Sequence, residues 1–465
     1  MATAKSKPEK SLGALARTGI AFAAWAERWF PDPLVFALLA VIVIFGLAVM
    51  TGEQPGEVAR QAGKNFWGLI PFTMQMVMVL VGGYVVASTP AIGAAVRWVA
   101  ARPKSARGAV ALVALFSMGA SLLSWGLSLI FSGLLVRELA RTMPRLDYRA
   151  AGAAAYLGLG VTWAQGLSSS AAMLMATPSS LPPSLVKISG IIPLTQTLFL
   201  PQNMLMTAIL IAVAAGVAYA SAPSEANART AADLGISPAE PLPKTFKPEK
   251  PGEWLEHFPG LTILVFAILA FYLVGVFRTA PNGALAALDL NTYNLIFIAA
   301  GLILHGRPVR FLRAVNECVP VTAGIIIQYP FYAMIFGMIV NTGLSQRMSN
   351  LFIAISSHET YPLLVAAYSS VLGIFIPSGG SKWIIEAPYV LTAAMANKIH
   401  LGWVVQIYNA AESLPNLINP FFMLPLVGIL NCKARDLVGY GLLQFIVLTP
   451  LVYFLCWAFA LTFRL

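Results

Sequence analysis

Lys382 and Glu386 stand inside an otherwise uncharged apolar run, residues 363–396, where ionised groups are costly. Charge at bilayer depth marks a functional site by default. Just ahead of them, Ser378, Gly379, Gly380 and Ser381 cannot lie comfortably within a helix, because adjacent glycines and small hydroxyls break or cap one. Ser124, Gly126 and Ser128 place similar small polar chemistry within the apolar run 109–136. Two more apolar runs are interrupted by polar residues: Gln165, Ser168, Ser169 and Ser170 within 150–176, and Asn409, Glu412, Asn416 and Asn419 within 401–430. Free N–H groups and positive helix ends favour an anion, whereas unwound carbonyls and helix C-termini favour a cation. Together these residues could hold a carboxylate alongside Na+ or H+.

The candidate substrate contacts are Ser124, Gly126, Ser128, Ser168, Ser169, Ser378, Gly379, Gly380, Ser381, Lys382 and Asn416. Candidate ligands for the coupling ion or proton are Gln165, Ser170, Glu386, Asn409, Glu412 and Asn419. Lys382 would meet the carboxylate or stand in for a cation, and Glu386 or Glu412 would carry a proton. Blander roles stay open beside these. Lys382 and Glu386 are spaced i, i+4 and would meet on one helix face as a structural pair, and the serines also suit helix packing. Gln328 and Tyr329, midway along a span, read as interhelical hydrogen-bond partners. Nearby Trp125, Phe131, Trp163 and Trp383 suit a small monocarboxylate with an alkyl tail.

The elements that must position these residues are membrane helices. Of 465 residues, 58% are apolar and 11% charged, in recurring apolar runs long enough to span. The net charge of +11 comes from Lys and Arg in short loops, as in cytoplasmic loops, and no basic–aromatic pattern suggests nucleic acid. Cys318, Cys432 and Cys456 are scattered within or beside apolar runs and read as small core residues. The four histidines form no metal motif and no G-x-S-x-G is present. The chain therefore reads as no enzyme and as needing no cofactor beyond a possible Na+; a membrane-embedded enzyme is the alternative class.

Loop charge sets the topology. Residues 1–32 form a cytoplasmic or interfacial N-terminus, with an amphipathic helix expected over 11–30. A first repeat over 33–221 holds a hairpin at 109–136 and a broken helix at 150–176. Arginines flank 109–136 on both sides, so that segment enters and leaves on the cytoplasmic face. A polar cytoplasmic linker (222–257) and a connecting transmembrane helix (258–278) lead to a second repeat over 291–463. There the hairpin at 363–396 enters from the opposite face, and the broken helix is 401–430. Residues 51–64 read as a loop. The fold class is an all-α polytopic membrane protein: an inverted-topology repeat with two opposed re-entrant hairpins and two broken transmembrane helices, the plan of secondary transporters.

The stretches PSGGSKWIIEAP, QYPFYAMIFGM and NLINPFFMLPLVGIL together resemble the short-chain fatty acid transporter family of the ion transporter superfamily, over about residues 15–463. The resemblance implies a multi-pass inner-membrane symporter of a bacterial cell for acetoacetate or butyrate-like anions, with a small carboxylate as its substrate, and sliding-domain alternating access. It also implies a homodimer in the lipid bilayer. By position, 377–381 and 409–419 would line one half-site, and 124–128 with 165–170 the other. A dicarboxylate or aminobenzoyl-type anion is the alternative substrate.

Overall fold

The computed structural model describes residues 28, 33–237, 250–280, 284–376 and 378–463, and these form helices, turns and loops with no strand among the described residues. The helix expected over 11–30 lies outside them, apart from Arg28. The first series comprises α1 (Pro33–Met50), a short amphipathic α2 (Pro55–Asn65), α3 (Ile70–Ala87), α4 (Pro90–Ala100), and the pair α5 (Ala106–Leu123) and α6 (Trp125–Thr142). A broken span follows: α7 (Tyr148–Leu157), a π turn (Gly158–Thr162), a 3-10 turn (Trp163–Gln165) and α8 (Ser170–Met175). Then come α9 (Pro183–Ser189) and α10 (Pro201–Ser221), and, past the linker, α11 (Pro251–His257) and α12 (Pro259–Thr279).

The second series repeats the order of the first. It runs α13 (Leu290–His305), amphipathic α14 (Pro308–Cys318), α15 (Ala323–Asn341), α16 (Leu344–Ile355), and the pair α17 (Tyr361–Phe375) and α18 (Gly379–Ala396). Its broken span is α19 (Leu401–Ser413), a 3-10 turn (Leu414–Leu417) and α20 (Pro420–Leu430), and α21 (Ala434–Ala460) closes the chain. Among the described residues, α3, α5, α10, α12, α15 and α21 are long and apolar enough to cross a membrane, and α1, α13 and α17 are apolar but shorter.

Packing between the series is reciprocal. Helix α1 packs on α15 and α13 on α3; α2 packs on α15 and α14 on α3. Likewise α4 meets α6 as α16 meets α18, α20 meets α6 as α8 meets α18, and α10 meets α5 as α21 meets α17. Each half thus exchanges corresponding partners with the other. Helix α12 stands apart from it, with Thr262 its one buried residue and Phe271 84% exposed, as suits a helix facing lipid.

Both helix pairs are longer than apolar runs alone suggest. The first spans 106–142 rather than 109–136, because its outer turns carry Arg107, Arg137, Glu138 and Arg141. Each arm has 18 residues, or about 27 Å at 1.5 Å per residue. Its break is one extended residue, Ser124 (φ −155°, ψ 123°), inside the expected tip. Residues 51–64, read as a loop, contain α2 instead: Pro55 starts it and Val58 and Ala62, at i and i+4, bury one face. The first part of the linker is stitched to the turn after α6. Tyr148 donates its backbone N–H to Arg229 O, and Asp147 Oδ2 accepts from Arg229 N at 2.9 Å.

The two breaks of the first series touch each other. A Cβ on Gly166 would overlap the carbonyl of Leu122, the last turn of α5. Substituting Gly166→Ala should therefore cost about 1–3 kcal/mol of stability, as overpacking does. Thermal unfolding of the detergent-purified protein reads this, and an unchanged midpoint would contradict the contact.

Candidate functional site

A cavity of about 450 Å³ opens where the four interruptions converge. The α5–α6 turn contributes Trp125 and Gly126, and the α17–α18 turn contributes Ser378, Gly379 and Gly380. The broken spans add Leu159, Trp163 and Ser170 on one side, and Asn416 with Phe422 on the other. The facing wall comes from α3 (Met76, Leu80, Tyr84) and α15 (Gln328, Tyr329). Apolar side chains dominate, with polar groups gathered at the α18 end, the usual composition of a small-molecule site. The second turn sits tightly here. A Cβ on Gly379 would lie 2.5 Å from Trp163 Cη2, and one on Gly380 would lie 2.8 Å from Phe72 Cζ. Only glycine lets α18 start this close to the first broken span.

The two helix N-termini facing the cavity differ. At α6, the N–H of Trp125 donates to Ser168 Oγ at 2.7 Å, and that of Leu127 to Ser124 Oγ at 3.3 Å. Its first-turn donors are thus largely consumed by the protein. At α18, no side chain caps the first turn, and Ser378 Oγ donates sideways to Ser381 Oγ at 2.9 Å. The opening N–H groups of a helix have no intrahelical partner, so those of Gly379 and Gly380 are left for an anion. Tyr329 stands beside Ser378 and Ser381, and the indole N–H of Trp163 has no hydrogen-bond partner.

Behind this tip lies a buried charge cluster. Lys382 Nζ is 3.3 Å from Glu386 Oε1, with both side chains 0% exposed. The ammonium also donates to Ser369 O at 2.7 Å and lies 4.5 Å above the ring of Tyr408. Glu386 Oε2 accepts from Ser369 Oγ at 2.6 Å. Tyr408 in turn donates its hydroxyl to Gly379 O, tying the cluster to the turn. Glu412 is equally buried, and its Oε2 accepts no hydrogen bond.

Of the residues singled out from sequence, Gly126, Ser170, Ser378, Gly379, Gly380 and Asn416 line the cavity. Asn416 donates to Leu159 O at 3.1 Å, and its Oδ1 has no partner. The others are buried around it. Ser128 donates to Ser117 O at 2.7 Å, and Ser124 and Ser168 cap α6, so the hydroxyls of these three are engaged within the protein. Ser169 caps α8 and donates to Asn409 Oδ1 at 3.1 Å; Asn409 donates to Gln406 Oε1. Gln165 is 3% exposed with no partner for either side-chain polar atom, and Asn419 is buried beside α20. Lys382 and Glu386 form the expected i, i+4 pair, and neither they nor Ser381 and Glu412 reach the cavity wall. Trp125 and Trp163 do line it; Phe131 stacks on Phe116 at 4.4 Å and Trp383 packs on Tyr408 at 4.7 Å. The α3 and α15 wall was not singled out from sequence. Its one signal was the polar pair Gln328 and Tyr329 beside Pro330 inside an apolar span.

A family model described as short chain fatty acid transporter matches residues 14–460. Two curated bacterial relatives carry names that assign them provisionally as short-chain fatty acid transporters. The Escherichia coli K12 protein is 33% identical over 418 residues, covering 90% of this chain and 93% of its own. The Haemophilus influenzae protein is 31% identical over 443 residues, covering 93% and 98%. Among solved structures, the YdaH transporter of Alcanivorax borkumensis, described as having an unusual topology, superposes with a TM-score of 0.58 at 14% identity, over 92% of this chain and 98% of that one. At that identity the likeness concerns the fold alone.

The charge cluster makes its own forecast. Removing one partner of a buried ion pair strands the other, at a cost of about 3–5 kcal/mol, whereas replacing both by apolar groups is close to neutral. Lys382→Met should therefore lower the unfolding temperature sharply, and Lys382→Met with Glu386→Leu should recover most of it. A single variant as stable as the parent would show that the pair carries no structural weight.

Proposed function

The chain belongs to the short-chain fatty acid transporter family, and from that premise we propose that it carries small monocarboxylates such as butyrate or acetoacetate in symport with H+ or Na+. It is a multi-pass membrane protein, and we place it in a bacterial inner membrane with a cytoplasmic N-terminus. The observation that carries the substrate reading is the cavity with the uncapped start of α18 at one end. The carboxylate would accept from the N–H groups of Gly379 and Gly380 and from the hydroxyl of Tyr329. The alkyl tail would lie along Leu80, Leu129, Ile325 and Phe422. Among the described lining residues there is no Lys or Arg, which favours one carboxylate over two and so argues against a dicarboxylate. A family of transporters argues against an enzyme.

The movement we propose is a sliding one. The two helix pairs, as re-entrant hairpins from opposite leaflets, would travel with the broken spans against α1, α3, α13 and α15. The cavity supports this, since it lies on the seam between those groups. Glu317, paired with the Tyr84 hydroxyl at 3.3 Å, stands at the exposed side of the cavity on α14, which also carries Arg310 and Arg313. By the positive-inside rule that side is cytoplasmic, so this conformation would face inward. A homodimer is the assembly that we propose for it.

Purified protein in liposomes should accumulate labelled acetoacetate above protein-free vesicles only under an imposed H+ or Na+ gradient. Uptake that ignores both gradients would remove the symport reading. Tyr329→Phe, which deletes one hydroxyl at the cavity, should lower uptake about tenfold, the usual cost of losing a hydrogen bond to a charged group, without altering the amount of folded protein.

A further inference from the structure

Resting on the transport reading above, we propose that Glu412 is the proton carrier. It binds one proton when a carboxylate docks at the first turn of α18 and releases it when the anion leaves, so that one proton travels with each anion. The only change at Glu412 is carboxylate to carboxylic acid and back.

Charge counting comes first. Around the α18 turn the interior holds two carboxylates, Glu386 and Glu412, and one ammonium, Lys382, each no more than 1% exposed. Glu386 Oε2 accepts from the Ser369 hydroxyl, and its Oε1, which accepts no hydrogen bond, lies 3.3 Å from the Lys382 ammonium as an ion pair. Lys382 is satisfied by Glu386, the Ser369 carbonyl and the Tyr408 ring. Among the ion pairs of the described residues Glu412 takes part in none, and its Oε2 accepts no hydrogen bond. The surplus negative charge of the cluster therefore falls on Glu412, which has only the through-space attraction of Lys382, already paired with Glu386, to hold it ionised.

Position comes second. Glu412 Oε2 lies 3.4 Å from where a Cβ would stand on Gly379, and Gly379 is part of the cavity wall. No side chain separates the two. Unit charges roughly 7 Å apart, at an effective dielectric constant near 20, repel by about fiftyfold in affinity. An ionised Glu412 and a docked carboxylate thus exclude each other, and a proton removes the conflict. A metal cation would not serve as well, since it needs several converging oxygens and would sit beside the Lys382 ammonium.

The titratable groups around Glu412 are few. Lys382 and Glu386 face it from α18, Tyr408 from its own helix and Tyr329 from α15. Helix α17 adds Tyr361 and Tyr368, which face Glu386. Helix α21 adds Tyr453 and Cys456, its charged residues Arg435 and Asp436 lying in the first turn. Phenols and thiols stay neutral across the physiological range, which leaves Glu412 beside the Lys382–Glu386 pair, whose opposite charges hold each other.

Binding of butyrate to the full-length purified protein, read by fluorescence of Trp125 and Trp163 and with a pH indicator in weak buffer, tests this. From about pH 6 to 9, where the ligand itself remains ionised, wild-type affinity should fall on the alkaline limb by up to about fiftyfold in all, the limit that the repulsion from Glu412 sets. At its maximum about three-quarters of a proton should be taken up per anion bound there. Glu412→Gln, an uncharged isostere, should bind with a flat pH profile and take up none. A flat wild-type profile, binding without proton uptake, an unchanged slope in Glu412→Gln, or binding that requires Na+ would each overturn the proposal while leaving transport intact. A wild-type protein that neither binds nor exchanges any short-chain acid would overturn the transport reading, and this one with it. The wild-type proton count decides the matter even if the variant does not assemble.

Discussion

A helix that breaks inside hydrocarbon frees backbone N–H and carbonyl groups that water cannot reach, and every one of them needs a partner. The interior of this protein is arranged around four such breaks. At the first pair the chain answers with its own side chains: Ser168 takes the N–H of Trp125, Ser117 takes the N–H of Gly158 at 2.7 Å, and Asn203 donates to Gln165 O at 3.1 Å. At the second pair the carbonyls are met, with the Tyr408 and Tyr156 hydroxyls donating to Gly379 O and Asn416 O. No side chain caps the first turn of α18. Two similar constructions thus end differently, and the one left open is the one that adjoins the cavity.

The same end of the molecule holds its most costly feature, two carboxylates and an ammonium with no access to water. Such a cluster is poor evidence for stability on its own. Here it is bonded to the α17–α18 unit at several points: Lys382 and Glu386 reach back to Ser369 on α17, and Tyr408 reaches Gly379. The charges therefore hold the turn in shape from behind while leaving its cavity face to small residues. That division explains why a lysine so close in sequence to the glycines does not itself line the cavity.

Much of this was legible beforehand. The breaks at Ser124, 166–169 and 414–419 fall where small polar residues, glycine or proline interrupt an apolar run, because few other residues can leave a helix there; the one expected over 378–381 does not extend that far, since α18 already starts at Gly379 and leaves only Ser378 outside the helix. The i, i+4 spacing of Lys382 and Glu386 foretold their pairing. Three things escaped. Helices such as α2 and α14 are amphipathic and short, so scanning for apolar runs passes over them. The arms of the first hairpin end in charged turns that the same scan trims away. The far wall of the cavity, Met76, Leu80 and Ile325, belongs to helices distant in sequence whose apolar residues look like any others until the fold brings them opposite the breaks.

The exchange of partners between the two series bears on how the protein is made. Helix α1 emerges from the ribosome early, yet the surface it packs on belongs to α15, and α3 likewise awaits α13. Contacts so remote along the chain are slow to form. During synthesis the first half must wait in the bilayer with its scaffold faces against lipid, tolerable there because lipid tails are as apolar as leucine. Final assembly then belongs to the completed polypeptide, when the later helices slot between the earlier ones and close the core.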